Sequence, residues 1–297
     1  SAIALTGSLR LARDSVTGFN VLLRSNGLDL GRVLGDDSLS SDLNFVLNAS
    51  QGEFPRIILS FTSIEDAFYK TFRAFNLSDK YRVPVILLSD QYLADSTSTV
   101  REPDLKALKV ETCLLKEANS DYRHHDLRSL VQKRAVPVMT AQIVMNDSHE
   151  HDENGGVTES ASNRKAMNDR RMAKLKEIAG EMEEPRLIGD PEAKDILICW
   201  GSAAGVVEAA TDTLLAQGRS IGALIFGDLY PLPVKTLKQL IERGARLINV
   251  EGNHQGQLRQ LIARELTHPV RHSILKYDGR QFSPDYILKA YEEMIQK

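Results

Sequence analysis

Apolar residues along this chain fall into short runs that alternate with helical stripes. In the last third, Asp195 to Trp200 is a buried-type run that turns out through Gly201-Ser-Ala-Ala-Gly205. Val206, Val207, Ala210 and Leu214 then recur at helical spacing. Ile221 to Phe226 follows the breaker Gly218, and Val234 to Arg243 reads as a helix ended by Gly244. Arg246 to Val250 is a third strand. Gln257 to Leu266 is a helix with Leu258, Leu261 and Ile262 on one face, and His272 to Tyr277 is a fourth strand. Ser283-Pro284, a capping residue before proline at the first helical position, opens a last helix expected to turn Tyr286, Ile287 and Tyr291 inward. Strands alternating with helices imply a mostly parallel sheet covered by helices.

A second α/β unit lies upstream. Arg56 to Phe61 is a strand, and Thr62-x-x-Glu65 has capping-box spacing. Ile64, Ala67, Phe68, Thr71, Phe72 and Phe75 form a helical stripe expected to pack in the core, and Val83 to Leu88 is another strand. Between the units, Asp147 to Glu153 reads as a polar, flexible loop, Asn154-Gly155-Gly156 as a turn, and Ala161 to Met182 as a charged amphipathic helix with Met172, Leu175, Ile178 and Met182 on one stripe. The first 40 residues are short apolar pieces between glycines, with no repeat. The pattern divides the chain into an N-terminal unit at 1–110, a linker with an inserted loop and helix at 111–185, and a C-terminal domain at 186–297.

The length of 297 residues fits this two-domain division, at roughly 100–200 residues per domain. A net charge of −3 argues against general nucleic-acid binding, which needs a basic face. No apolar run approaches the ~18 residues of a membrane span, and Ser1 opens no signal-peptide pattern. The two cysteines, Cys113 and Cys199, fit a reducing compartment and hence the cytoplasm. They also fall short of the about four thiolates an iron–sulfur cluster needs.

Ligands of open α/β sheets sit beyond the carboxyl ends of strands, so Asp90-Gln91 after Val83–Leu88 is either a site edge or a cap for the next segment. Gly201 to Gly205 either faces a phosphate at a helix N-terminus or allows close packing of helix on strand. His254 follows a strand and reads as an interface or capping residue. His149 and His151 are two apart on a loop, which lacks the helical geometry of a zinc site. They fit a solvated loop or a lid on the substrate side, and no metal site is assigned.

Several blocks, in order, resemble one family. They are Gln51 to Arg56, Asp66 to Tyr69, Ala74 to Leu77, Tyr81-x-Val-Pro-Val85, Ser89 to Asp95, His149 to Glu153 with Thr158-Glu159 and Asn163-Arg164, Trp200-Gly-Ser202, Tyr230 to Pro233, Val250-Glu-x-Asn253, Gly256 to Leu258 and Leu275 to Gly279. From about residue 42 onward the chain resembles the α subunit of 2-oxoacid:ferredoxin (acceptor) oxidoreductases. The resemblance implies two transketolase-like α/β domains with mostly parallel sheets, a partial pyrimidine-binding-type domain and a transketolase C-terminal-like domain. It implies oxidative decarboxylation of a 2-oxoacid to an acyl-CoA, using thiamine diphosphate with Mg²⁺ shared with or held mainly by a β subunit. Electrons would pass to ferredoxin through iron–sulfur clusters on that partner, in a hetero-oligomer that also takes coenzyme A. On the cofactor side it points to Gln51, Gly52, Glu53, Asp90 and Gln91, and it names no catalytic residue. Gly227-Asp228-Leu229 with Asn253 approximates the Gly-Asp-Gly…Asn signature of a diphosphate–Mg²⁺ site, but leucine at the second glycine makes a strand-end turn the expectation.

The resemblance weakens in the segment up to residue 51, where Asp42-Leu43 survives, and is lost before residue 42. Ser38-Leu39-Ser40 stands where the family has Thr-Glu-Gln, Gln51 stands where it has His, and residues 1–40 contain no Glu to activate the aminopyrimidine ring. That segment is expected to be truncated or divergent. The alternatives are a non-catalytic assembly subunit of such a complex, or a lipoamide-dependent 2-oxoacid dehydrogenase β-type chain.

Overall fold

The computed structural model describes residues 42–115, 117, 121–137, 140 and 143–296. The Ser38-Leu39-Ser40 departure lies outside them.

In the C-terminal half, β5 (Arg186–Gly189), β6 (Asp195–Trp200), β7 (Ile221–Phe226), β9 (Arg246–Glu251) and β10 (His272–Leu275) form one sheet in the order β10-β9-β6-β7-β5, with β5 antiparallel and the rest parallel. Its strands are apolar along their length because both faces are covered. Successive side chains alternate between those faces. Leu197, Cys199, Ile221, Ala223 and Ile248 pack against α5 (Ala203–Ala216) and α8 (Pro284–Ile295). Ile196, Ile198, Leu224, Phe226 and Leu247 pack against α6 (Lys235–Glu242), α7 (Gln257–Leu266) and the upstream helix α1 (Asp42–Asn48). The expected strands and helices of this half are all present. The last strand ends at Leu275, and Tyr286 departs from expectation: it is 40% exposed and donates its hydroxyl to Leu275 O.

In the N-terminal half, β1 (Ile57–Ser60) pairs in parallel with β2 (Val85–Leu88) on one side and antiparallel with β8 (Asp228–Tyr230) on the other. Gly227 is a bend that ends β7, as expected, but Asp228 and Leu229 are not in a turn. They belong to β8, the third strand of the upstream sheet. Ile57 and Leu59 face α2 (Ile64–Tyr81) and the long helix α4 (Ala161–Ala179), while Ile58 joins the core shared with the C-terminal sheet. Short strands β3 (Leu114–Leu115) and β4 (Arg134–Ala135) form a separate pair, and α3 (Gln91–Asp95) follows β2.

Three local expectations shift. The cap of α2 lies one residue later than Thr62-x-x-Glu65. Ser63 accepts from Asp66 N at 3.1 Å, and Asp66 accepts from Thr62 N at 2.9 Å. The buried face of α2 is Ala67, Lys70, Ala74, Leu77 and Tyr81, leaving Phe68 and Phe72 half-buried and Phe75 72% exposed. On α4 the buried residues are Met167, Arg170, Lys174 and Ile178, while Met172 and Leu175 are half-buried. Both helices rotate away from the apolar stripe because they bury cations with specific partners.

Candidate functional site

The carboxyl ends of β2, β6 and β9 carry the polar groups where ligands of open sheets bind. Asp90 follows β2. Its Oδ1 accepts from Leu93 N at 3.0 Å, capping α3, and its Oδ2 accepts from Ser202 N at 2.7 Å, just beyond β6. Gly201 is there because the close approach leaves no room. Its φ is +64°, and a Cβ would lie 2.8 Å from Asp90 Oδ2. The anion at the start of α5 is thus the protein's own carboxylate. Asp90 is both the cap and a tie between the two halves of the molecule.

Glu251 ends β9 and is buried. It accepts from Trp200 Nε1 and Asn249 Nδ2 at 2.8 Å, from Asn253 Nδ2 at 3.2 Å, and from Leu258 N at the start of α7 at 3.1 and 3.0 Å. Burial raises its pKa, and the donated hydrogen bonds oppose that rise without cancelling it. Next to it, Gln257 Oε1 accepts from Leu43 N and Asn44 N at 2.9 and 3.2 Å, so α7 caps α1 across the molecule. The other end of α1 is held by Arg56, whose Nη1 donates to Val46 O at 2.6 Å and whose guanidinium lies over the Phe54 ring.

Between those anchors, Gln51, Gly52 and Glu53 form an exposed turn. Gln91 is also exposed and donates to Asp95 Oδ2 at 3.2 Å. His149 pairs with Asp147 at 2.7 Å, and His151 stacks on His125 with ring centroids 4.0 Å apart. These contacts keep both histidines within the inserted segment, whose loop also carries backbone hydrogen bonds. Asp152 N donates to Gly156 O and Thr158 N to Glu150 O. The expected capping role of His254 is not seen; its ring packs edge-on against Tyr277 at 4.8 Å.

Asp228, the decoy diphosphate-site aspartate, has other work. It is buried and accepts from Lys70 at 2.7 Å, from Arg73 at 2.9 and 2.8 Å, and from Glu183 N at 2.8 Å. Burial disfavours the Lys70 ammonium, but Asp228 and Glu183 outweigh it and raise the pKa. The structure thus shows two polar centres that sequence reading missed, Glu251 and the Lys70–Arg73–Asp228 group. A glutamate ending an apolar strand was the available signal for the first.

The described residues do not fit as holders of a diphosphate and its Mg²⁺. Asp90, Asp228 and Glu251 are committed to protein donors, and among the described residues no group of three His, Cys, Asp or Glu could hold a metal ion.

Known proteins place this geometry. Residues 37–170 match the family described as pyruvate flavodoxin/ferredoxin oxidoreductase, thiamine diphosphate-binding, and residues 193–287 match pyruvate:ferredoxin oxidoreductase core domain II. The chain is similar to the α subunit of 2-oxoacid:ferredoxin oxidoreductase 1 of Aeropyrum pernix, at 33% identity over 98% of this chain and 49% of that one. It is also similar to 2-oxoglutarate oxidoreductase subunit KorA of Mycobacterium tuberculosis, at 26% identity over 83% and 38%. Among solved structures, 2-oxoglutarate:ferredoxin oxidoreductase from Magnetococcus marinus, with 2-oxoglutarate, coenzyme A and succinyl-CoA bound, superposes with a TM-score of 0.75 at 28% identity, over 86% of this chain and 45% of that one. The chain spans about half the length of the curated relatives it matches.

Proposed function

Because this chain belongs to the family of 2-oxoacid:ferredoxin oxidoreductase α subunits, we propose that it serves in oxidative decarboxylation of a 2-oxoacid to an acyl-CoA, in complex with a β subunit. The observation that carries the reading is the ordered family match across both halves of the chain. Family membership leaves the lipoamide-linked reading without support.

The division of labour follows from the side chains. Thiamine diphosphate supplies the nucleophilic carbon when bound. On this chain, the exposed residues Gln51, Gly52, Glu53 and Gln91 are the ones available to contact it, while Asp90 orients the loop after β6 instead of reaching outward. The diphosphate and Mg²⁺ are assigned to the partner. So are the iron–sulfur clusters, because the two cysteines of these 297 residues cannot ligate one, and burial raises the pKa of the Cys199 thiol. Phe75 at 72% exposed and Val110 at 68% supply apolar surface for a subunit contact. Among the described residues no helix is long and apolar enough to cross a membrane. The two free cysteines fit a reducing compartment, and on that ground we propose the cytoplasm.

The test is purification from the native source together with the subunits that accompany the chain. The complex is expected to reduce ferredoxin when given a 2-oxoacid and coenzyme A, and the isolated chain to be colourless and inactive. A second reading, a non-catalytic assembly subunit, is favoured by the commitment of Asp90 to the protein's own amides. Failure of the thiamine-diphosphate-loaded complex to turn over pyruvate, 2-oxoglutarate and branched-chain 2-oxoacids would select it. A brown, iron-containing preparation of the isolated chain would refute the division of labour.

A further inference from the structure

The inserted segment holds a group of side chains that the reading above leaves unused. His124, buried, meets His125 edge-on at 4.7 Å between ring centroids, and His125 meets His151 at 4.0 Å, tilted by 49°. The first two come from the segment after residue 121 and the third from the loop before Gly155. The contact therefore joins two stretches of chain that share no regular sheet. Backbone bonds reinforce it: His125 N donates to Glu153 O at 2.8 Å, and Asn163 Nδ2 donates to His151 O at 2.9 Å.

The surroundings decide what a proton would do here. Three of the six ring nitrogens face neutral groups: the Tyr122 hydroxyl at 2.8 Å from His124 Nδ1, Asn146 Oδ1 at 3.2 Å from His125 Nε2, and His149 O at 3.2 Å from His151 Nδ1. The nearby carboxylates are engaged elsewhere. Glu150 pairs with Arg164 and Arg171, Glu153 with Arg123 and the Leu127 amide, Asp126 with Arg128, and Asp147 with His149. The cations that face the cluster donate to backbone carbonyls, and Arg82 also meets the Tyr122 hydroxyl. Arg82 donates to His124 O at 2.7 Å, and Arg170 on α4 donates to Asp126 O and Ser129 O at 2.7 and 3.0 Å. A charged imidazole would therefore meet other imidazoles and guanidinium groups, and none of these four carboxylates is free to receive it.

We propose that His124, His125 and His151 form a proton-operated latch, which holds the loop 147–157 against the segment after residue 121 while His124 and His125 are neutral and releases it when those two rings become charged. Burial, then Arg82 and His151, push His124 down to about 4. Burial, then His151, His124 and Arg82, push His125 down to about 3. Both lie below the ordinary value of 6.5, so the folded loop binds fewer protons than the open one. Its closure is complete above about pH 6.5 and is lost as the pH falls from there toward 4. The latch stands on this geometry and does not depend on the catalytic reading.

Amide exchange on the full chain, corrected for the intrinsic pH dependence of exchange, tests it. Between about pH 7.5 and about pH 5, protection at the amides of His125, Asp152 and Thr158 is expected to fall at least about tenfold, with β6 and β9 unchanged. His125→Phe, which keeps a stacked ring but cannot be protonated, is expected to blunt that fall. Flat protection in the wild type, or the same fall in the variant, overturns the latch. Where the variant does not fold, ring titration by NMR of the wild type decides: depressed values for His124 and His125 support the latch, and ordinary ones overturn it.

Discussion

Along β6, Ile196, Leu197, Ile198 and Cys199 are all fully excluded from solvent. Between residues 121 and 160, His124, Ala135 and Gly155 alone are buried among the described residues. The sheet is held by apolar area removed from water on both faces. The inserted segment is held by cations that reach across it: Arg82, Arg170 and Arg171 end on its carbonyls or on Glu150. One region resists change through volume and the other through charge. They should fail under different insults.

The most sensitive place lies outside both, where α2 meets β8. Asp228→Ala removes the buried carboxylate shared by Lys70 and Arg73, leaving them Glu183 and the Glu181 carbonyl, and is expected to lower stability by about 3 kcal/mol, read as a shifted denaturant midpoint. Leu197→Ala, inside the sheet, is expected to cost about 2–5 kcal/mol, while protection of the inserted amides changes only through global unfolding. Lys174→Met keeps the stem on α4 but leaves Tyr81 O, now accepting at 2.7 Å, without its donor. It is expected to cost about 1–3 kcal/mol and to loosen the contact of α4 with the end of α2, seen by exchange there before the sheet responds. The smallest effect is electrostatic. Arg171, against some desolvation and with help from Arg164, holds the Glu150 carboxyl down at about 2, below its ordinary 4.5. That pairing orders the loop above about pH 4.5 and is lost as the pH falls toward 2, so Glu150→Gln should remove a second acid step while leaving the histidine step in place. A single acid step shared by wild type and variant would show that the two regions do not separate as described.

The same contrast explains what the sequence made legible. The C-terminal strands were readable because both faces are apolar and glycines bracket the runs, as in Asp195 to Gly201. The inward face of α2 was not, because it includes Lys70, whose partner Asp228 lies 158 positions away. Periodicity sorts residues by polarity and has no access to a distant counter-charge. Arg170 and Lys174 rotate α4 for the same reason. Strand β8 escaped because Asp-Leu-Tyr is too short to show alternation and its partner β1 lies far upstream. At the candidate site, the local role of Asp90 as a cap could be read from its position. Its bond to Ser202, 112 positions on, could not.

The placement of β8 has a consequence for modularity. The two family regions, 37–170 and 193–287, look separable along the chain, yet the second contributes the strand that covers the edge of β1 in the first. A polypeptide ending near residue 185 would present that edge of β1 to any other chain able to pair with it, which is how sheets template aggregation. Gene fission at this boundary is therefore tolerable only if both pieces are made together and find each other. The fusion of the two regions in one reading frame keeps the covering strand at hand from the moment the sheet forms.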